Sequence, residues 1–181
     1  MKLRHARRLD FTGGIADFDQ FKEFGQPVMD LLRSEGRSPL VIVVDTGYGF
    51  SGGNVQPHIV LDHLNLSGDN PLVGPNNPIG QRFPVVNDIY IAAADTVDQE
   101  ETWSIGHPLG KLRNGVAAGV RQGQKLSEEE LKTCHELGSH FYCYNLVPTM
   151  IVAAHAGLKV LGLIVPEGQP LDAKVLTAIA R

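Results

Sequence analysis

The chain has 181 residues, 43% hydrophobic and 20% charged, with a net charge of -4. That is the balance of a folded soluble protein rather than a disordered one, and a chain this long buries about 70% of its unfolded surface, so a single domain over 1–181 is expected. The mild acidity argues against nucleic acid as partner, and no stretch approaches the roughly 20 apolar residues that span a bilayer.

In chain order, the first eight residues are locally basic (Lys2, Arg4, Arg7, Arg8), a run too short for a nucleic-acid footprint and read as a solvated strand edge. No apolar run of signal-peptide length follows, which leaves a cytoplasmic protein as the expectation. Phe18, Phe21, Phe24, Val28, Leu31 and Leu32 recur at helical spacing, interrupted by Gly25 and Pro27. The near-continuous apolar run from Pro39 to Val44 predicts a strand buried on both faces, hence mid-sheet. A glycine-rich segment, Asp45 to Gly53, follows it. It reads as a tight turn needing positive φ, at a position where open α/β sheets bind ligands.

His58 to Asp62 predicts a second strand. The segment from Asn65 to Pro84 holds too many prolines and glycines for a helix or central strand and reads as a long loop. Gly115 to Val120 predicts a strand, and Ser127-Glu-Glu-Glu130 is a capping box opening a helix to about Leu137, before Gly138. A strand at His140 to Tyr144, a helix from Pro148 to His155, a strand at Lys159 to Val165 and a helix from Leu171 complete the chain. This alternation predicts an α/β fold with about five strands and four or five helices. Cys134 and Cys143 lack CxxC spacing, and His58, His107, His135 and His140 lack ligand spacing, so neither metal nor disulfide nor cofactor is implied.

Three blocks carry a resemblance. Asp62-His-Leu-Asn-Leu66, Asn70-Pro-Leu-Val-Gly-Pro-Asn76 and Gly80-Gln-Arg-Phe-Pro84 follow one another with fixed spacing; Leu112 to Val120 and Val147 to Gly162 are the second and third. Together they resemble the trimeric purine nucleoside phosphorylases over roughly residues 27 to 181. The resemblance implies a three-layer α/β/α sandwich with a mixed, mostly parallel sheet, reduced at the N-terminus because the family's first strand and its "G-S-G-L-G" phosphate loop find no counterpart. It also implies a homo-oligomer, a trimer above other forms.

Members of that family transfer a pentosyl group from a purine to phosphate, so the resemblance implies purine nucleoside and phosphate as ligands. It also locates the residues to test. Arg8 falls at the phosphate-binding arginine of "R-F-H-x-Y-E-G", with Asp10 in place of its histidine. Asn145 replaces the phosphate-contacting serine. Lys125 and Leu126 replace the phenylalanine and glutamate that grip the purine, and Glu167 or Gly168 falls at the asparagine that contacts its N7. Asp172 aligns with the histidine of the last helix. Phe83 matches the aromatic residue that family trimers insert into a neighbour's sugar site, and Asp45 lies near the asparagine of "T-N-A-A-G-G". Tyr142 and Tyr144 alternate as core or cross-strand packing would, and with Asn145 also stand where a pocket could be lined. His63 and His155 lie in scaffold blocks and read as hydrogen-bonded structural groups.

Replacements at the phosphate and purine positions imply a phosphorylase-like protein without ordinary phosphorolysis. The alternative is an active phosphorylase or hydrolase with a reorganised site, using Asp45, Glu167 or Asp172 as acid and Arg8 as anion anchor, with Phe83, Lys125, Tyr144 and Asn145 in ligand binding.

Overall fold

The computed structural model describes residues 8–9, 40–50, 55, 57–75, 80–90, 103–104, 111–157 and 159–168. The helices expected around 18–32 and from Leu171, and the candidate Asp172, lie outside them. Seven strands form a mixed, mostly parallel sheet: β1 (Arg8–Leu9), β2 (Leu40–Gly47), β3 (His58–Asn65), β4 (Trp103–Ser104), β5 (Lys111–Gly119), β6 (Phe141–Cys143) and β7 (Lys159–Pro166). The five longer ones are those the sequence predicts; β1 and β4 are two-residue pairings at the edges of β2 and β5. The order is β1-β2-β7-β3-β5, with β7 antiparallel to β3 and the other long neighbours parallel. The helices are α1 (Glu128–Glu136) and α2 (Leu146–His155), and a 3-10 turn covers Asn87–Tyr90.

Val160 to Val165 of β7 are buried without interruption, as a strand between β2 and β3 with both faces covered requires. α2 packs on β7, β5, β2 and β3 through Leu146, Val147, Met150, Ile151 and Val152, all buried. Each such side chain contributes about 1.5–3 kcal/mol on removal from water. Close approach of α2 to β5 requires Gly119, where a Cβ would come within 2.5 Å of the Val147 side chain.

Two boundaries differ from the sequence reading, for identifiable reasons. β2 does not stop at Val44, because its ladder on β7 continues through Asp45↔Ile164 to Gly47↔Pro166. Gly47 is therefore a strand residue, and its lack of a side chain answers to the Ile164 side chain packed against it, not to a positive φ; neither Gly47 nor Gly49 has one. α2 begins at Leu146 rather than Pro148, which places Pro148 in the first helical turn, where a missing N–H costs nothing. The capping box of α1 is formed as expected: the Glu130 N–H donates to Ser127 Oγ, and the Ser127 N–H donates to the Glu130 carboxylate at 2.7 Å. None of the described helices is long and apolar enough to cross a membrane.

Candidate functional site

Beyond Gly47 the chain leaves β7 and crosses to β6. Tyr48 exchanges both backbone hydrogen bonds with Tyr142, at 2.9 and 3.0 Å, so the end of β2 returns to β6 and the sheet curls into a half-barrel. Because Gly47 lies opposite Pro166, the next residues on the two strands, Tyr48 and Glu167, emerge side by side. The Tyr48 ring stacks on Tyr142 with centroids 5.1 Å apart, and Tyr144 stands 5.4 Å from Tyr48 and 6.0 Å from Tyr142. Phe50 extends the stack, 6.4 Å from Tyr142. All four rings are half-buried.

Burial pushes the Tyr48 phenol above its ordinary range, and the nearby carboxylates of Glu167 and Asp45 push it further. Tyr144 is raised by burial, then by its phenol neighbours, then by Glu167. Tyr48 and Tyr144 are thus neutral phenols, Tyr48 beside Glu167 and Asp45 and Tyr144 beside Glu167. Tyr144 also donates its O–H to the Gln124 carbonyl at 3.0 Å, tying the loop after β5 to the end of β6.

Asp45 sits behind the stack, 9% exposed. Its Oδ2 accepts the backbone N–H groups of Asn145 at 2.9 Å and Leu146 at 2.8 Å, and its Oδ1 accepts the Thr46 N–H at 2.8 Å and the Asn145 side-chain amide at 3.4 Å. Asn145 is the N-cap residue of α2, yet its own side chain caps nothing. A carboxylate from a strand one hundred residues away does so instead. Helix N-termini favour anions because their first N–H groups lack partners and the helix dipole is positive there. Every neighbour of the two Asp45 oxygens is a donor, which suits the ionised form; burial nevertheless pushes this carboxyl up from its ordinary range, with the four hydrogen bonds holding it back.

The structure therefore brings Asp45, Tyr144, Asn145 and Glu167 to one place. A cleft of about 250 Å³ opens beside them, lined by Tyr144, Asn145, Asn65, Asp69 and Arg121. Lys125 follows Gln124 on the β5–α1 loop and is exposed. The backbone of Arg8 pairs with Ile42, three residues before Asp45 on the neighbouring strand. Phe83 is not part of this cluster: it is 83% exposed on the long loop, beneath the Arg82 guanidinium, and lines a different cleft. His63 and His155 are hydrogen-bonded, His63 Nδ1 to the Tyr90 hydroxyl at 2.6 Å and His155 Nδ1 to the Gln81 carbonyl. Sequence reasoning missed Tyr48 and Phe50. Their signal was two aromatics set among glycines directly after a buried strand.

No family model matches the chain. Purine nucleoside phosphorylase 1 of Bacillus subtilis (strain 168) is 33% identical over 115 residues, 63% of this chain and 41% of that protein. The Geobacillus stearothermophilus purine nucleoside phosphorylase 1 is 32% identical over 137 residues, 74% of this chain and 48% of that protein. Among solved structures, the Schistosoma mansoni purine nucleoside phosphorylase in complex with acetate superposes with a TM-score of 0.60 at 21% identity, covering 78% of this chain and 55% of that one.

The chain belongs to the purine nucleoside phosphorylase family. A Schistosoma purine nucleoside phosphorylase in complex with hypoxanthine gives a TM-score of 0.58 at 22% identity over 85% of this chain and 59% of that one. The chain spans less than half the length of the two bacterial phosphorylases it matches.

Proposed function

We propose that this phosphorylase-like chain has left ordinary phosphorolysis and keeps the family fold as a ligand-binding or structural member. The observation that carries this reading is the Asp45 carboxylate on the N-terminus of α2. Asn145, at the head of that helix, is the residue that replaces the family's phosphate-contacting serine. An internal carboxylate already satisfies the N–H groups an incoming anion would need. A phosphate arriving there would meet a like charge at contact distance in a poorly solvated place, a repulsion of several kcal/mol at an effective dielectric near 20.

The purine side supports the same reading. Lys125 and Leu126 stand where the family has an aromatic residue and a carboxylate, and Lys125 is exposed. A base-recognising site that loses its buried polar partner loses discrimination by orders of magnitude. Assembly as a trimer through the loop that carries Phe83, and a cytoplasmic location, belong to this proposal as well.

The test is phosphate-dependent cleavage of inosine, guanosine and methylthioadenosine by the purified chain. Rates indistinguishable from the protein-free control are expected. Turnover at ordinary enzyme rates, of order 1–10³ per second, would overturn the reading.

A second reading is pentosyl transfer to water, favoured by Glu167, an exposed carboxylate next to Tyr48 and Tyr144. It requires release of free base from inosine without phosphate, abolished in Glu167→Gln. Phosphate-independent cleavage that survives that substitution would exclude Glu167 as the acid.

A further inference from the structure

Four aromatic rings share one patch at the crossing from β2 to β6, and they come from these two strands and the residues just after them, not from the loop that carries Phe83. Tyr48 and Phe50 run nearly parallel to Tyr142, at 24° and 16°. Tyr144 stands across them, at 55° to Tyr48 and 78° to Tyr142. The result is an aromatic floor with one aromatic wall, each ring partly open to solvent.

The patch is held in shape before any ligand arrives. Tyr48 and Tyr142 are fixed by the two backbone hydrogen bonds they exchange, and Tyr144 by its O–H on the Gln124 carbonyl and its hydroxyl's interaction with Tyr142. Preformed rings lose little freedom on binding. The face of an aromatic ring is the negative side of its quadrupole and attracts a cation within about 6 Å of its centre. The exposed Glu167 carboxylate stands beside Tyr48 and Tyr144 and adds a negative charge to theirs. Among the described residues, Arg82 over Phe83 is the one Lys or Arg side chain set on an aromatic ring, so none of them covers these faces.

We propose that this patch binds a quaternary ammonium ion of choline size, its methyl groups against the Tyr48 and Tyr144 rings and its charge beside Glu167. The proposal rests on reading the chain as a ligand-binding member of its family, and it names the ligand class. A primary ammonium fits less well, because it brings several N–H donors that need acceptors, and both Asp45 oxygens are already taken by N–H groups. A quaternary ammonium needs none and meets an aromatic face through its methyl groups.

The probe is choline, titrated into the full chain at constant ionic strength and followed by calorimetry and by the tyrosine ring resonances, with 3,3-dimethyl-1-butanol as its uncharged counterpart of the same shape. Of the four tyrosines, Tyr90 is buried against His63, takes no part in the stack and serves as the reference. Saturable shifts at Tyr48, Tyr142 and Tyr144, with Tyr90 unmoved, are expected. The alcohol should bind about tenfold more weakly than choline, and Glu167→Gln should weaken choline severalfold. Unmoved resonances at the three stacked tyrosines, an undiminished affinity in Glu167→Gln, or equal affinity for choline and the alcohol would overturn the proposal; the last result would make the patch an apolar contact face for another protein surface. Phosphorolysis of inosine by the same preparation would instead overturn the reading beneath it, so the two failures are told apart. The comparison of choline with the alcohol uses the unmodified chain and so does not depend on how any variant folds.

Discussion

The Asp45 carboxylate caps α2 from across the sheet, accepting the Leu146 N–H at 2.8 Å and the Asn145 N–H at 2.9 Å. The contact joins the end of strand β2 to the helix that supplies much of the core. It also fills, with an internal anion, a helix N-terminus that favours one.

Removing that cap should destabilise the chain. Asp45→Ala takes the acceptor from the backbone N–H groups of Thr46, Asn145 and Leu146, of which only the Leu146 bond is fully buried; at about 1–3 kcal/mol for a buried unsatisfied group and less where water reaches, a loss of about 2–4 kcal/mol is expected in urea unfolding. A loss below about 0.5 kcal/mol would mean that water or a rotated Asn145 amide caps the helix equally well.

Stability should depend on pH through His63. Its folded-state pKa is depressed by burial below the usual 6.5. Between the two values the unfolded chain binds a proton that the native state does not, so this group's contribution is fully present above the unfolded pKa and is lost as pH falls through that window. The melting temperature of the wild type should therefore drop more steeply between pH 7.5 and about 5 than that of His63→Gln. Parallel curves for the two proteins would show that His63 titrates alike folded and unfolded.

Ser127→Ala breaks the reciprocal pair with Glu130 at the start of α1 and should cost about 1 kcal/mol by chemical denaturation. Glu130→Gln should cost less, because the amide still accepts from the Ser127 N–H. The reverse ranking would show that charge at the helix N-terminus outweighs the Ser127 hydroxyl.

Tyr144 donates its hydroxyl to the Gln124 carbonyl at 3.0 Å. Tyr144→Phe keeps the ring in the stack and removes that bond together with the hydroxyl's interaction with Tyr142, so a loss of about 0.5–1.5 kcal/mol is expected, with faster amide hydrogen exchange in the 121–126 loop. Unchanged exchange there would mean that the loop holds its place without the tie.

The sheet was legible because its main strands announce themselves: Lys159 to Val165 is the apolar run of a strand buried on both faces, and the run ending at Val44 marks β2, although its burial alternates, with Val43 buried and Val44 half-buried. The capping box at Ser127 was readable for the same local reason. Where β2 ends was not, since the ladder partners of Asp45 to Gly47 are residues 164–166 and nothing local records them. The start of α2 was hidden likewise, because its cap comes from Asp45 rather than from Asn145 beside it. Of the candidate residues, the family resemblance located Asn145 and Glu167, and the alternating aromatics of the 140–144 strand located Tyr144; the half-barrel gathers all three near Asp45. Neither signal revealed Tyr48, whose place depends on the crossing from β2 to β6.

The most direct measurement is the thermal stability of wild type and Asp45→Gly titrated with acetate and with inorganic phosphate at constant ionic strength. Acetate replaces the group that this substitution removes, so it should stabilise Asp45→Gly progressively with concentration, by about 1.4 kcal/mol at ten times its dissociation constant, and leave the wild type unmoved. Concentration-dependent stabilisation of the wild type by phosphate would contradict the proposal that Asp45 has closed the anion position at the head of α2.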